Sequence, residues 1–337
     1  MLAMHAPDGF LEPAVAIGTA VISIVILALS LRQSGRELKE KQLPLAGIAA
    51  AFIFAAQMFN FPVASGTTGH LLGGALAAIL LGPATGSLIV SIVVVVQALL
   101  FADGGLSALG YNVLNMAIVP AYGGFALFLL FRRFLPVNRG GIVGATGLAA
   151  GLSVVLAAMA FSLEWLIGAS APIPFDTVFT AMVGVHALIG IGEAVISALV
   201  IAAVLASRPD LVYGVRDLDQ SRFAERTPVA MRTFVIGGVL TALLFAVVVS
   251  QFAVDDPDGL EKVAIEEGFI DQGQDHALSN SIFSDYATEG VDNETLSLAI
   301  AGVAGTLITL AVGYGLFRAI RPKGRSESEP DREPAGV

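Results

Sequence analysis

Four histidines, His5, His70, His186 and His276, and no cysteine set the chemistry open to this chain. Thiol nucleophiles, disulfides, zinc ribbons and iron–sulfur clusters are excluded. If translation begins at Met4, His5 is the second residue, and its ring nitrogen, its backbone nitrogen and the free amine of Met4 can chelate one cation in a plane. Closed by a fourth nitrogen, such a set suits Ni(II) or Cu(II), which favour tetragonal coordination and can displace an amide proton. The alternative for His5 is an ordinary exposed terminal histidine.

His70 lies in Ser65-Gly66-Thr67-Thr68-Gly69-His70-Leu71-Leu72-Gly73-Gly74, where glycines let backbone and ligand approach closely. It is a candidate fourth nitrogen or a helix-capping histidine. His186 and Glu193 stand seven apart on one helical face, either as a polar relay below a metal or as a packing pair. Asn112 and Asn115 in Asn112-Val113-Leu114-Asn115-Met116 can brace the terminal loop or contact an ion. His276 has no partner at metal spacing and reads as solvated.

The elements that must position these residues are membrane helices. Of 337 residues, 55% are hydrophobic and 14% charged, with a mean hydropathy of +0.80, whereas a soluble domain carries about a quarter charged residues. A bilayer core needs about 20 apolar residues as helix. Candidate segments are Pro13–Leu31, Leu43–Phe59, Leu71–Leu81, Ala84–Phe101, Asn112–Phe134, Ile142–Ile167, Val178–Leu205, Arg232–Phe252 and Leu296–Phe317. Gly82-Pro83 and Asp103-Gly104-Gly105 supply the breaks in the long central run. The expected fold class is an all-α integral membrane protein with about nine transmembrane segments.

Nine alternating spans put 17 of the 18 basic residues on one face. The positive-inside rule then places the N terminus outside and the C terminus in the cytoplasm, with His5 and His70 both on the outer side. The first segment has no basic residues before it and is long enough to span, unlike a cleaved signal peptide. The outer loop Ala253–Glu294 holds twelve acidic residues and only Lys262, as a solvated surface or an electrostatic funnel for cations. A net charge of −10 with scattered basic residues argues against nucleic acid as a partner. There is no GxxxxGK[ST], HExxH or GxSxG motif, so uphill transport would draw on a partner or an ion gradient.

At these residues the sequence resembles the CbiM/NikM family, the substrate-binding membrane component of group I energy-coupling-factor transporters for nickel and cobalt. Met4-His5 to Phe10-Leu11 is similar to the family's MH…GFL signature, Gly66–Gly74 to its histidine loop, Asn112–Met116 to NxxNM, and His186–Glu193 to HxxIGxGE. Pro257-Asp258-Gly259-Leu260-Glu261, with Asp285-Tyr286, is similar to the PDGLE accessory domain. The resemblance implies Met4, His5 and His70 as metal ligands supported by Asn112, Asn115, His186 and Glu193. It also implies Ni(II) or Co(II) as transported cargo with a lean to nickel, no permanently bound cofactor, and an ATPase pair with a coupling transmembrane protein as partners.

The organisation expected is a metal-binding transmembrane domain over 1–207, a cytoplasmic linker over 208–230, an accessory domain over 231–320 and a disordered tail over 321–337, in a multi-pass plasma-membrane protein with no catalytic residues. Met1-Leu2-Ala3 depart from the pattern, and retaining them would move the terminal amine away from His5. Two other readings are an intramembrane metal-dependent hydrolase using His70, His186 and Glu193, and a passive divalent-cation channel.

Overall fold

The computed structural model describes residues 5–64, 66–219, 222–223 and 229–321. Met1 to Met4 and the tail beyond Arg321 lie outside the described residues, so the expectations placed on them are not addressed by the fold. Ten helices organise what is described: α1 (Pro13–Glu37), α2 (Leu43–Gln57), α3 (Gly74–Leu81), α4 (Pro83–Leu100), α5 (Leu109–Arg132), α6 (Arg139–Gly168), α7 (Phe175–Ser207), α8 (Met231–Val247), α9 (Gly259–Glu266) and α10 (Glu294–Ile320). The protein is an all-α membrane protein. Seven of the described helices are long and apolar enough to cross a bilayer: α1, α4, α5, α6, α7, α8 extended to Phe252, and α10. α2 and α3 are shorter, at 15 and 8 residues.

Those two short helices form the centre. All of α3 is buried, as is α2 apart from Pro44. Their all-round apolar sequences fit this place, since a helix with no polar face gains most when enclosed. Small residues then set how closely the helices approach. A Cβ at Gly151 of α6 would lie 2.8 Å from the carbonyl oxygen of Gly190 in α7, so the two backbones nearly touch. Two faces of α2 are covered by the C-terminal helices: Phe54 fills the space over Gly305 of α10, and Ile48 the space over Gly238 of α8.

Two irregularities matter for the site. α5 contains a π-turn at Val113–Ile118, where one residue more than an α-helical turn is accommodated. Such turns re-aim side chains and recur at functional positions. Between α2 and α3 the chain forms a two-stranded hairpin, β1 (Phe61–Pro62) and β2 (Thr68–Gly69), pairing Phe61 with Gly69 and Pro62 with Thr68. His70 follows directly.

Candidate metal centre

The segment from His5 to Glu12 is pulled into the protein by hydrogen bonds from several elements. Ala6 donates its N–H to Asn112 Oδ1 at 3.2 Å, while its carbonyl accepts from Asn112 Nδ2 at 2.9 Å and Gly105 N at 3.1 Å. Tyr111 donates to the Pro7 carbonyl at 2.9 Å. Asp8 Oδ1 accepts from Ser107 N, Ser107 Oγ and Ala108 N, satisfying donors at the start of α5 that the helix itself cannot. Gly9 holds φ at +93°, and a side chain there would strike the Gln272 carbonyl. Phe10 O accepts from Ser170 at both N and Oγ. His5 is therefore 2% exposed, which excludes the ordinary exposed histidine.

His70, 7% exposed, is positioned differently. Its ring Nδ1 lies 3.1 Å from the Leu71 carbonyl, an arrangement in which Nδ1–H donates. The chain just beyond it is gripped by Glu193, whose Oε2 accepts from Leu72 N at 2.7 Å and Oε1 from Gly73 N at 2.9 Å. Gly73 is at φ +77°, a conformation that would strain a side chain. Glu193 is fully buried. Both its oxygens are committed to backbone, so it acts as a clamp for the histidine loop.

The His5 and His70 ring centroids are 5.8 Å apart. They border a cavity of about 80 Å³ that is also lined by Asn112, Asn115, His186 and Asp258 within otherwise apolar walls. That is room for an ion with a water or two, since one water occupies about 30 Å³ in the liquid. Among the described residues neither ring nitrogen of His5 has a hydrogen-bond partner, an expensive state for a buried polar group unless a ligand uses it. His186 turns Nδ1 to the Met182 carbonyl at 2.8 Å and borders the same cavity. Glu193, the base that the hydrolase reading names, gives an oxygen to each of two backbone N–H groups and is not among the described residues that line the cavity. His276 stays outside this group and accepts from Leu278 N in a local turn.

Three carboxylates that sequence reasoning passed over complete the surroundings. Asp103, treated only as part of a chain break, accepts from His5 N at 3.2 Å and lies 3.7 Å from His5 Nδ1. Glu164 in α6 accepts from Asn115 Nδ2 at 2.7 Å; the available signal was a lone acidic residue inside an apolar span. Asp258 caps α9 by accepting from Glu261 N at 2.8 Å and is pushed up to about 8 by burial. With it, the Pro257-Asp258-Gly259 turn roofs the cavity. Thr68 donates its N–H to the Pro257 carbonyl at 2.9 Å, and a Cβ on Gly259 would meet His186 Cε1 at 3.1 Å.

Comparison with known proteins decides the family. A family model described as the cobalt uptake substrate-specific transmembrane region, CbiM, matches residues 5–211, and a PDGLE domain model matches residues 232–322. The chain belongs to the CbiM family. A putative fused nickel transport protein of Archaeoglobus fulgidus is 35% identical over 94% of this chain and 99% of its own length. A putative metal transport protein of Haloquadratum walsbyi is 43% identical over 62% of this chain and 94% of its own. A solved structure described as a truncated transition metal transporter superposes with a TM-score of 0.54 at 30% identity, covering 60% of this chain and 98% of that one. This CbiM-family chain is thus a multi-pass membrane protein of metal uptake, joined to a PDGLE domain.

Proposed function

We propose that the chain is the substrate-specific component of an energy-coupling-factor uptake system for Ni(II) or Co(II). The observation that carries this reading is the pair of buried imidazoles, His5 and His70, bordering one small cavity. Two cis imidazoles on one ion, each bound about 2 Å away, put their centroids roughly 4.5 Å apart, so loading draws these rings, now 5.8 Å apart, closer together. The ligands are the rings of His5 and His70, the backbone nitrogen of His5 and, where translation starts at Met4, its amine. Loading exchanges the His5 N–H···Asp103 bond for a nitrogen–metal bond and releases that hydrogen to solvent. Nickel is favoured because its tetragonal preference matches such a set and because a relative that spans both modules bears the name of a nickel transport protein.

Energy comes from partners, a coupling transmembrane protein and its ATPases, as this chain carries no phosphate loop. The division into 1–207, 208–230, 231–320 and 321–337 stands as proposed. So does a nine-pass path with the N terminus outside, in which α2 and α3 are short passes sheltered by the others. Asp255, Asp256, Glu261 and Asp275 line an outer cavity of about 670 Å³ that shares Asp258 with the histidine cavity. This is the form an electrostatic funnel takes. The test is Ni(II) titration of the full chain and of His70→Ala. His70→Ala should lose tight binding while remaining in the membrane, since apolar helix packing does not depend on that ring. Unchanged affinity would sink the site.

A further inference from the structure

The accessory module reaches the metal centre through a side chain that the proposed ligand set does not include. Asp285 and Tyr286 hold φ at +53° and +56°, a conformation that non-glycine residues adopt at a cost and that often marks a functional constraint. This bend turns Tyr286 inward, where its ring packs 5.1 Å from that of Phe101. Gln97 Nε2 donates to Tyr286 Oη at 2.9 Å. The hydroxyl hydrogen is thereby directed the other way, to Asp103 Oδ2 at 2.6 Å. The second oxygen of Asp103 is the one that accepts from His5 N and lies 3.7 Å from His5 Nδ1. Asp103 is 3% exposed.

We propose that Tyr286 is a positioning residue of the metal centre, holding the Asp103 carboxylate against His5 so that the accessory module sets the counter-charge beside the cation. The inference rests on the proposed Ni(II)/Co(II) centre. A cation entering that cavity meets walls formed largely by Leu72, Val154, Ala157, Phe161 and Ile189. Net charge among such groups is costly unless an opposite charge stands close by. Asp103 is the carboxylate that touches His5, and the Tyr286 hydroxyl that donates to it fixes its direction. With one oxygen tied to Tyr286, the other is left aimed at the histidine. The accessory module thus contributes to affinity without supplying a ligand.

The experiment is Ni(II) titration of the full chain in detergent, for wild type, His70→Ala, Tyr286→Phe, Asp103→Asn and the Tyr286→Phe/Asp103→Asn pair, with the ligand-field absorption of bound Ni(II) recorded in each. Tight binding by wild type that is lost in His70→Ala establishes the centre; no binding by wild type removes the centre and this inference together. With the centre established, Tyr286→Phe should bind about tenfold more weakly, the loss expected for one hydrogen bond to a charged group. Its absorption band should keep its position because the ligands are untouched. The paired variant should bind no more weakly than Asp103→Asn alone. Wild-type affinity in Tyr286→Phe, a shifted band, or losses that simply add would overturn the inference and leave the centre standing.

Discussion

His5 and His70 reach the same cavity through opposite kinds of restraint. The His5 segment is held by many modest bonds spread over α5, the loop before it and the 168–170 turn. The His70 segment is fixed before the histidine by the hairpin and the Thr68–Pro257 bond, but just beyond it the grip is concentrated in one buried carboxylate that accepts from two consecutive backbone N–H groups. Spread restraints fail one at a time, because each removed bond leaves the others in place. A concentrated restraint fails at once, and leaves buried donors without partners. Two histidines with the same task should therefore differ in how sharply substitutions around them register.

The largest effect is expected from Glu193→Gln. The substitution keeps one oxygen but turns an NH2 toward a backbone N–H, stranding a buried donor at about 1–3 kcal/mol beyond the bond lost. Ni(II) affinity measured by calorimetric titration should fall at least about a hundredfold. A variant that binds like the parent would erase the contrast between the two loops. Asn112→Ala should be milder, about tenfold, because it removes the two bonds to Ala6 while Tyr111, Gly105 and the Asp8 contacts remain. A loss as large as that of Glu193→Gln would mean that the His5 loop also hangs on one residue.

The smallest effect concerns the roof over both loops. The Asp258 carboxyl is raised from 3.8 to about 8 by burial, with repulsion from Glu261 and Asp103 as weaker contributions, so the folded chain binds a proton that the unfolded chain has released between those values. Stability supplied there is lost as pH rises through that window. Asp258→Asn retains an oxygen for the α9 cap and should flatten the fall in thermal midpoint between pH 5 and pH 8. An unchanged slope would show that the roof does not titrate.

The membrane class and the residues of the cavity were legible because apolar runs and intramembrane histidines are conspicuous against their surroundings. His5, His70, Asn115 and His186 do border one cavity. The role of Glu193 was not legible: seven-residue spacing puts it on the His186 face, but its partners Leu72 and Gly73 are backbone groups 121 and 120 positions away. Sequence periodicity carries no sign of such long-range backbone bonds. His70 read only as a ligand or a helix cap on the outer side, and its burial comes from the folded hairpin and the Pro257 turn. The contact between Asp103 and Tyr286 stayed hidden for a similar reason, since Asp103 in its glycine-rich break advertises the break and conceals a partner 183 positions away.

The roof joins the two histidine loops mainly through main-chain atoms: Thr68 N to the Pro257 carbonyl on one side, Gln274 N to the Asp8 carbonyl on the other. At these two bonds the seam is written in the path of the chain, and the alphabet of side chains has less say than it does at Tyr286 or Gly9. At such points the two modules can drift apart in sequence and still dock, provided that each keeps its local trace. The fit between them is closer to that of adjacent strands in a sheet, where any residue but proline can give the bond, than to a lock whose teeth must all be copied together.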